Sequence, residues 1–122
     1  MRNLRVLLLS AGLVFGGTQS AIAHADLVKS FPVANSTLTK APKYVQLEFG
    51  EDLVTLKSKS ANSIMILDAT ATKIPTSKIM IKKMIARVEI IDNLKSGKYT
   101  VKYRIVSADG HVLNAQFKFT LS

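Results

Sequence analysis

Apolar and polar residues alternate at period two along much of this 122-residue chain, and that pattern confines it to strands that each hide one face. Val45, Leu47 and Phe49 alternate with Tyr44, Gln46 and Glu48, entered through the turn-like Lys40-Ala41-Pro42-Lys43. Tyr99, Val101, Tyr103 and Ile105 alternate with Thr100, Lys102 and Arg104, and Phe117, Phe119 and Leu121 alternate with Gln116, Lys118 and Thr120. Leu27 to Phe31, Ile64 to Leu67 and Arg87 to Ile91 predict shorter strands. Turn-forming residues separate these runs: Asp52 after Gly50, Asp68 to Thr72, Asn93 with Gly97, and Asp109-Gly110. Lys78 to Ile85 follows neither period cleanly and reads as an irregular loop or edge strand. Six to eight short strands, about seven, at intervals of roughly 8–12 residues predict an all-β antiparallel sandwich or small barrel.

Residues 1–23 follow a different rule. Arg2 and Arg5 precede an uncharged, mostly apolar run from Val6 to Gly17, and Ala21-Ile22-Ala23 has the small-x-small pattern of a signal peptidase site. The run is shorter than the roughly 20 apolar residues that a membrane-spanning helix needs. We therefore expect a cleaved signal peptide over 1–23 and one exported domain over 24–122. That domain keeps 15 of the 17 Lys and Arg against 8 Asp and Glu, formally +7. The chain has no Cys, which excludes disulfides, Cys-ligated zinc, iron–sulfur clusters and thiol nucleophiles. Any bound metal must then be held by His, carboxylate, Met or backbone groups, and the only two His are His24 and His111.

Cleavage after Ala23 would give His24 a free α-amine beside its imidazole. The amine (reference pKa about 8) and Nδ1 of the same ring can close a six-membered chelate on one metal ion. Alone, a His at this point is only a residue that the peptidase tolerates. A second signal lies just beyond the strand at 98–106, where Ser107-Ala108-Asp109-Gly110-His111 sets a carboxylate and an imidazole two positions apart. In extended chain such residues point to one side with Cα atoms about 6.5–7 Å apart, and Gly110 lets them converge. Alone, Asp-Gly is an ordinary tight turn. Together, His24, His111 and Asp109 form an N3O set without thiolate, the tetragonal kind that Cu(II) prefers; Zn(II) stays open on this reading.

Across His24-Ala25-Asp26-Leu27, Ser30-Phe31-Pro32, Ala41-Pro42 leading into Val45 to Glu51, Leu94 to Val101, Tyr103 to His111, and Phe117-Lys118-Phe119, the chain resembles the CopC family of periplasmic copper-binding proteins. The resemblance implies an immunoglobulin-like or cupredoxin-like Greek-key β-sandwich in the periplasm. It also implies one Cu(II) per chain, held by the amine and ring of His24, by Asp109 and by His111. Copper would be buffered, used in resistance, or passed to an inner-membrane transporter of the CopD type. Relatives usually have Pro after His111; here Val112-Leu113-Asn114-Ala115 follows. Glu51 stands where some relatives place a carboxylate near copper. The Met-rich, His-containing Cu(I) loop of some relatives is missing. Met65, Met80 and Met84 are unclustered and read as core fillers, giving a Cu(II)-only member.

Other readings of the same residues make different demands. Ser107 beside His111 could pair as nucleophile and base, but an imidazole that ligates metal cannot also serve as base. An N-terminal His with a second His is also the copper clasp of polysaccharide monooxygenases. Against that oxidase stand the small size, the Asp109 ligand and the lack of Trp for a sugar-binding face. A third reading rests on Lys73, Lys78, Lys82, Lys83 and Arg87, which occur without an acid between Asp68 and Glu89 and could attract anionic envelope surfaces. Nucleic acid is disfavoured, because no aromatics interleave with the cations.

Overall fold

The computed structural model describes residues 26–55 and 61–122. The expected signal peptide over 1–23 and His24 lie outside the described residues. Among the described residues nine strands form two sheets: β1 (Leu27–Phe31), β2 (Thr37–Leu38), β3 (Tyr44–Phe49), β4 (Ser63–Leu67), β5 (Lys73–Ile74), β6 (Met80–Lys82), β7 (Ile85–Glu89), β8 (Gly97–Val106) and β9 (Val112–Leu121). The first sheet has the order β1-β3-β7-β6 and the second β2-β9-β8-β4-β5. Among the described residues no helix is present, and the all-β sandwich expected from the alternation is the fold.

The core is made by the residues the period-two pattern singled out. Val45, Leu47 and Phe49 of β3 and Ala86 and Val88 of β7 are buried on one sheet. They face Tyr99, Val101, Tyr103 and Ile105 of β8, Ile64 and Ile66 of β4, and Phe119 and Leu121 of β9. Phe49 meets Tyr103 edge-on across the interface at 5.8 Å, and within the second sheet Tyr99 stacks on its β9 neighbour Phe119 at 5.3 Å. The Tyr99 hydroxyl escapes an unpaired burial by donating to the Lys95 carbonyl at 2.6 Å.

Several details depart from expectation. Seven strands have three or more residues; β2 and β5 are two-residue additions at the sheet margins. β2 pairs with β9 in parallel, so the sandwich is not wholly antiparallel. The uncertain stretch at 78–85 is an edge strand, β6, turning into β7 through Lys83, whose φ is 54°. That turn starts β7 at Ile85, two residues before the expected Arg87. In β1 a register shift between Leu27 and Lys29 puts Leu27 opposite Phe49 and Ser30 opposite Leu47, so residues three apart share the inner face.

The methionines are not core fillers. Met65 lies on the outer side of β4, Met80 on the edge strand and Met84 in the β6–β7 turn, at 36%, 49% and 38% exposure. The acid-free basic run is no single patch either. Lys73 belongs to the second sheet, whereas Lys82 and Arg87 belong to the first, and Arg87 is paired with Glu89 at 2.7 Å.

Candidate metal centre

β8 and β9 form the longest hairpin, in register from Gly97 opposite Leu121 to Val106 opposite Val112. Its loop, 107–111, carries the Asp-x-His pair. The Ser107 amide donates to the His111 carbonyl at 2.9 Å and the Gly110 amide to the Ser107 carbonyl at 2.8 Å, closing the loop on itself. Gly110 has φ 91°, a conformation that a side chain would strain.

A second segment braces this loop from behind. Leu53 bridges to Ser107. The Ala108 amide donates to the Asp52 carbonyl at 2.9 Å and the Val54 amide to the Val106 carbonyl at 2.9 Å. Asn62, a buried polar side chain, joins the same two strands of chain: its Nδ2 donates to the Val54 carbonyl at 2.8 Å and its Oδ1 accepts the Val106 amide at 2.7 Å. The loop therefore stands on a hydrogen-bonded base, although its tip faces solvent.

Asp109 and His111 meet on this base. Oδ1 of Asp109 lies 2.9 Å from Nδ1 of His111 and accepts the His111 amide at 3.1 Å. The hydroxyl of Ser107, itself fully buried, donates to the same oxygen. These donors, the Ser107 hydroxyl foremost and His111 next, hold the Asp109 carboxyl well below the usual carboxylate range. It is an anion at any physiological pH. A neutral His111 ring that donates its Nδ1–H to Asp109 in a hydrogen bond keeps the Nε2 lone pair for a metal, the carboxylate–imidazole arrangement common behind metal-bound His. Both side chains are exposed, at 42% and 63%, so an ion or a partner's ligand can reach them.

Of the residues singled out by sequence, the structure brings Asp109 and His111 together. His24 lies outside the described residues, so among those described no group of three or more metal-ligating acids and His is assembled. Asp26, two positions after His24, accepts the Gly50 amide at 3.0 Å through its carbonyl. Gly50 is two residues from Asp52, which braces the loop, so the described chain begins at the pole that carries Asp109 and His111. Glu51 lies half-buried in this same stretch. Sequence reasoning missed the parts played by Ser107 and Asn62. The Ser-x-Asp spacing, which suits a local hydroxyl–carboxylate bond, was the available signal for the first; nothing local marks the second.

Comparison with known proteins agrees with this architecture. The family model described as the CopC domain matches residues 27–122. The chain is 33% identical over 132 aligned positions to the copper resistance protein C of Escherichia coli, with 99% of each chain covered. It is 32% identical over 106 residues to the copper transport protein CutJ of Bacillus subtilis; 84% of this chain is covered, but only 19% of that longer protein. Among solved structures, CopC from Methylosinus trichosporium OB3b superposes with a TM-score of 0.72 at 28% identity, covering 81% of this chain and 94% of that one.

Proposed function

This chain belongs to the CopC family, and from that premise we propose that it is an exported, periplasmic protein that binds one Cu(II) ion and passes it on. Relatives of it are named copper resistance protein C and copper transport protein CutJ, and the family sets aside the oxidase reading of the same clasp. The metal is cargo. The amine and ring of His24 would supply a chelate, His111 a third nitrogen through Nε2, and Asp109 an anionic oxygen that offsets the ion's charge while orienting His111.

One observation carries this reading: the Asp109 carboxylate lies 2.9 Å from the His111 ring, in a braced loop at the pole where the described chain begins. The N and O donors without sulfur favour Cu(II) over Cu(I). The scattered, separately exposed methionines supply no clustered thioether site among the described residues. Exposure of both loop ligands favours transfer over storage, because an incoming ligand can enter before the outgoing one leaves. An inner-membrane transporter of the CopD type is the recipient that fits.

Mass spectrometry of the exported protein, followed by Cu(II) titration, tests the proposal. The first residue should be His24, and a form retaining one residue before it should bind Cu(II) orders of magnitude more weakly. Equal affinities for the two forms would refute the chelate.

A further inference from the structure

The two outer faces of the sandwich differ in charge. On the first sheet, two of the three strand cations have acidic neighbours: Lys29 stands opposite Glu48 in the ladder, and Arg87 binds Glu89 at 2.7 Å while lying 3.8 Å over the Tyr44 ring; Lys82, on the edge strand, stands opposite Ile85. On the second sheet, the five strands contain no Asp or Glu at all. They carry Lys73, Lys98, Lys102, Arg104 and Lys118, all exposed. All five point outward, because each alternates with or pairs beside an inward residue: Lys98, Lys102 and Arg104 with Tyr99, Val101, Tyr103 and Ile105, Lys118 with Phe117 and Phe119, and Lys73 with Ile74. Among the described residues none of the five is in an ion pair; Arg104 donates only to the Ala61 carbonyl, at 2.8 Å.

We propose that this outer face of the β2-β9-β8-β4-β5 sheet lies against an anionic lipid bilayer. Charge complementarity selects an anionic occupant. The choice of a bilayer over an acidic protein rests on what accompanies the cations. Thr37, Thr100, Thr120, Ser63, Asn114 and Gln116 take most of the remaining outward positions, with half-buried Leu67 and Val106 among them. The exposed apolar residues are only Met65 and Val112, and no aromatic side chain points out. A protein interface would centre on buried aromatic or aliphatic anchors. A plane of laterally mobile phosphates needs none, and can match cations spread over the seven residues from Lys98 to Arg104 of β8, about 20 Å by strand rise.

The orientation leaves the metal loop usable. β8 and β9 would run along the membrane plane, and the 107–111 loop leaves them at their ends, at the rim of the face instead of beneath it. Copper could thus be exchanged laterally with a membrane-embedded recipient. Bilayer binding itself does not depend on the copper reading, since no proposed ligand belongs to the face.

Sedimentation with vesicles tests the assignment, using the natively processed protein, vesicles of phosphatidylcholine with about one-third phosphatidylglycerol, and phosphatidylcholine alone as control. Binding should require the anionic lipid and fall steeply between low and physiological salt. With each cation contributing about fivefold, the triple variant Lys98→Gln, Lys102→Gln, Lys118→Gln should lose on the order of a hundredfold in partitioning. An equal charge change on other surfaces, Lys29→Gln, Lys78→Gln, Lys82→Gln, should lose severalfold at most. Both triples should titrate with Cu(II) like wild type, which separates failure of this proposal from failure of the copper site. Absence of binding to the anionic vesicles, including the case in which only an acidic protein binds the face, overturns it. So do equal losses in the two triples, which would mean that net charge alone is sensed.

Discussion

The side chain on which the 107–111 loop turns is Ser107. It is fully buried, and its hydroxyl is the donor that most lowers the Asp109 carboxyl. Asp109 in turn orders the His111 ring through Nδ1 at 2.9 Å. Ser107→Ala removes the first link and leaves both proposed ligands in place, so the expected result is a loosened imidazole. Cu(II) affinity should fall by about 10- to 100-fold, the usual cost of losing a group that orients a ligand. The electron paramagnetic spectrum should broaden, and Ser107→Thr, which keeps the hydroxyl, should restore the wild-type spectrum even where its added methyl lowers stability. A wild-type affinity and spectrum in the Ala variant would show that the hydroxyl does nothing for the site. His111→Ala is the harsher change: the Cu(II) spectrum should shift toward fewer nitrogens, and an unchanged spectrum would remove His111 from the ligand set.

Strands and turns set how far such residue-level changes spread. Phe119 stacks on Tyr99 at 5.3 Å near the end of the β8–β9 hairpin remote from the loop, and is 1% exposed. Phe119→Ala should cost about 3–5 kcal/mol through lost burial and a residual cavity, read as a lower denaturant midpoint at constant slope. Cu(II) affinity of the still-folded variant should not change. The β4–β5 turn offers a pH test. Asp68 accepts from the Thr70 hydroxyl at 2.7 Å and from the Thr70 and Thr72 amides at 2.9 Å each, and these bonds lower its carboxyl, the Thr70 hydroxyl most. A lowered folded-state pKa stabilises above the ordinary carboxylate value of 3.8 and stops doing so as pH falls through the folded value. The stability gap between wild type and Asp68→Ala should therefore be steady near neutrality and shrink below about pH 4; a gap that grows on acidification would contradict the sign. These elements also show what sequence could reveal. β3 and β8 were readable because every second residue is buried. β2 and β5 were not, since two residues cannot display a period. β9 was read only from Gln116, because Leu113 and Ala115 are partly buried and Val112 on the outer side is apolar, which blurs the contrast. In the loop, the closeness of Asp109 and His111 followed from their spacing of two, a spacing that by itself reads equally as an ordinary tight turn. Their brace was not legible, because Asp52, Leu53 and Asn62 reach the loop only through the tertiary fold.

At the scale of the whole molecule, a metal held jointly by the chain start and the β8–β9 loop would tie two distant points of sequence across one pole of the sandwich. Asp26 is already bonded there to Gly50, and the loop to Asp52, so the tie would require no rearrangement of the sheets. A ligand that binds only the folded state stabilises it by RT ln(1 + [L]/Kd), about 2.7 kcal/mol at a hundredfold excess over Kd. For a domain near 100 residues each kcal/mol raises the melting temperature by roughly 4–8 °C. Free Cu(II) at a hundred times Kd should therefore raise it by about 10–20 °C. At that same Cu(II) concentration, a form carrying one residue before His24 should melt close to its metal-free temperature, while the two metal-free forms melt together, because the extension alters the chelate and not the core. Equal copper-induced shifts in the two forms would place the metal on the loop alone, and the chain start would then have no part in holding it.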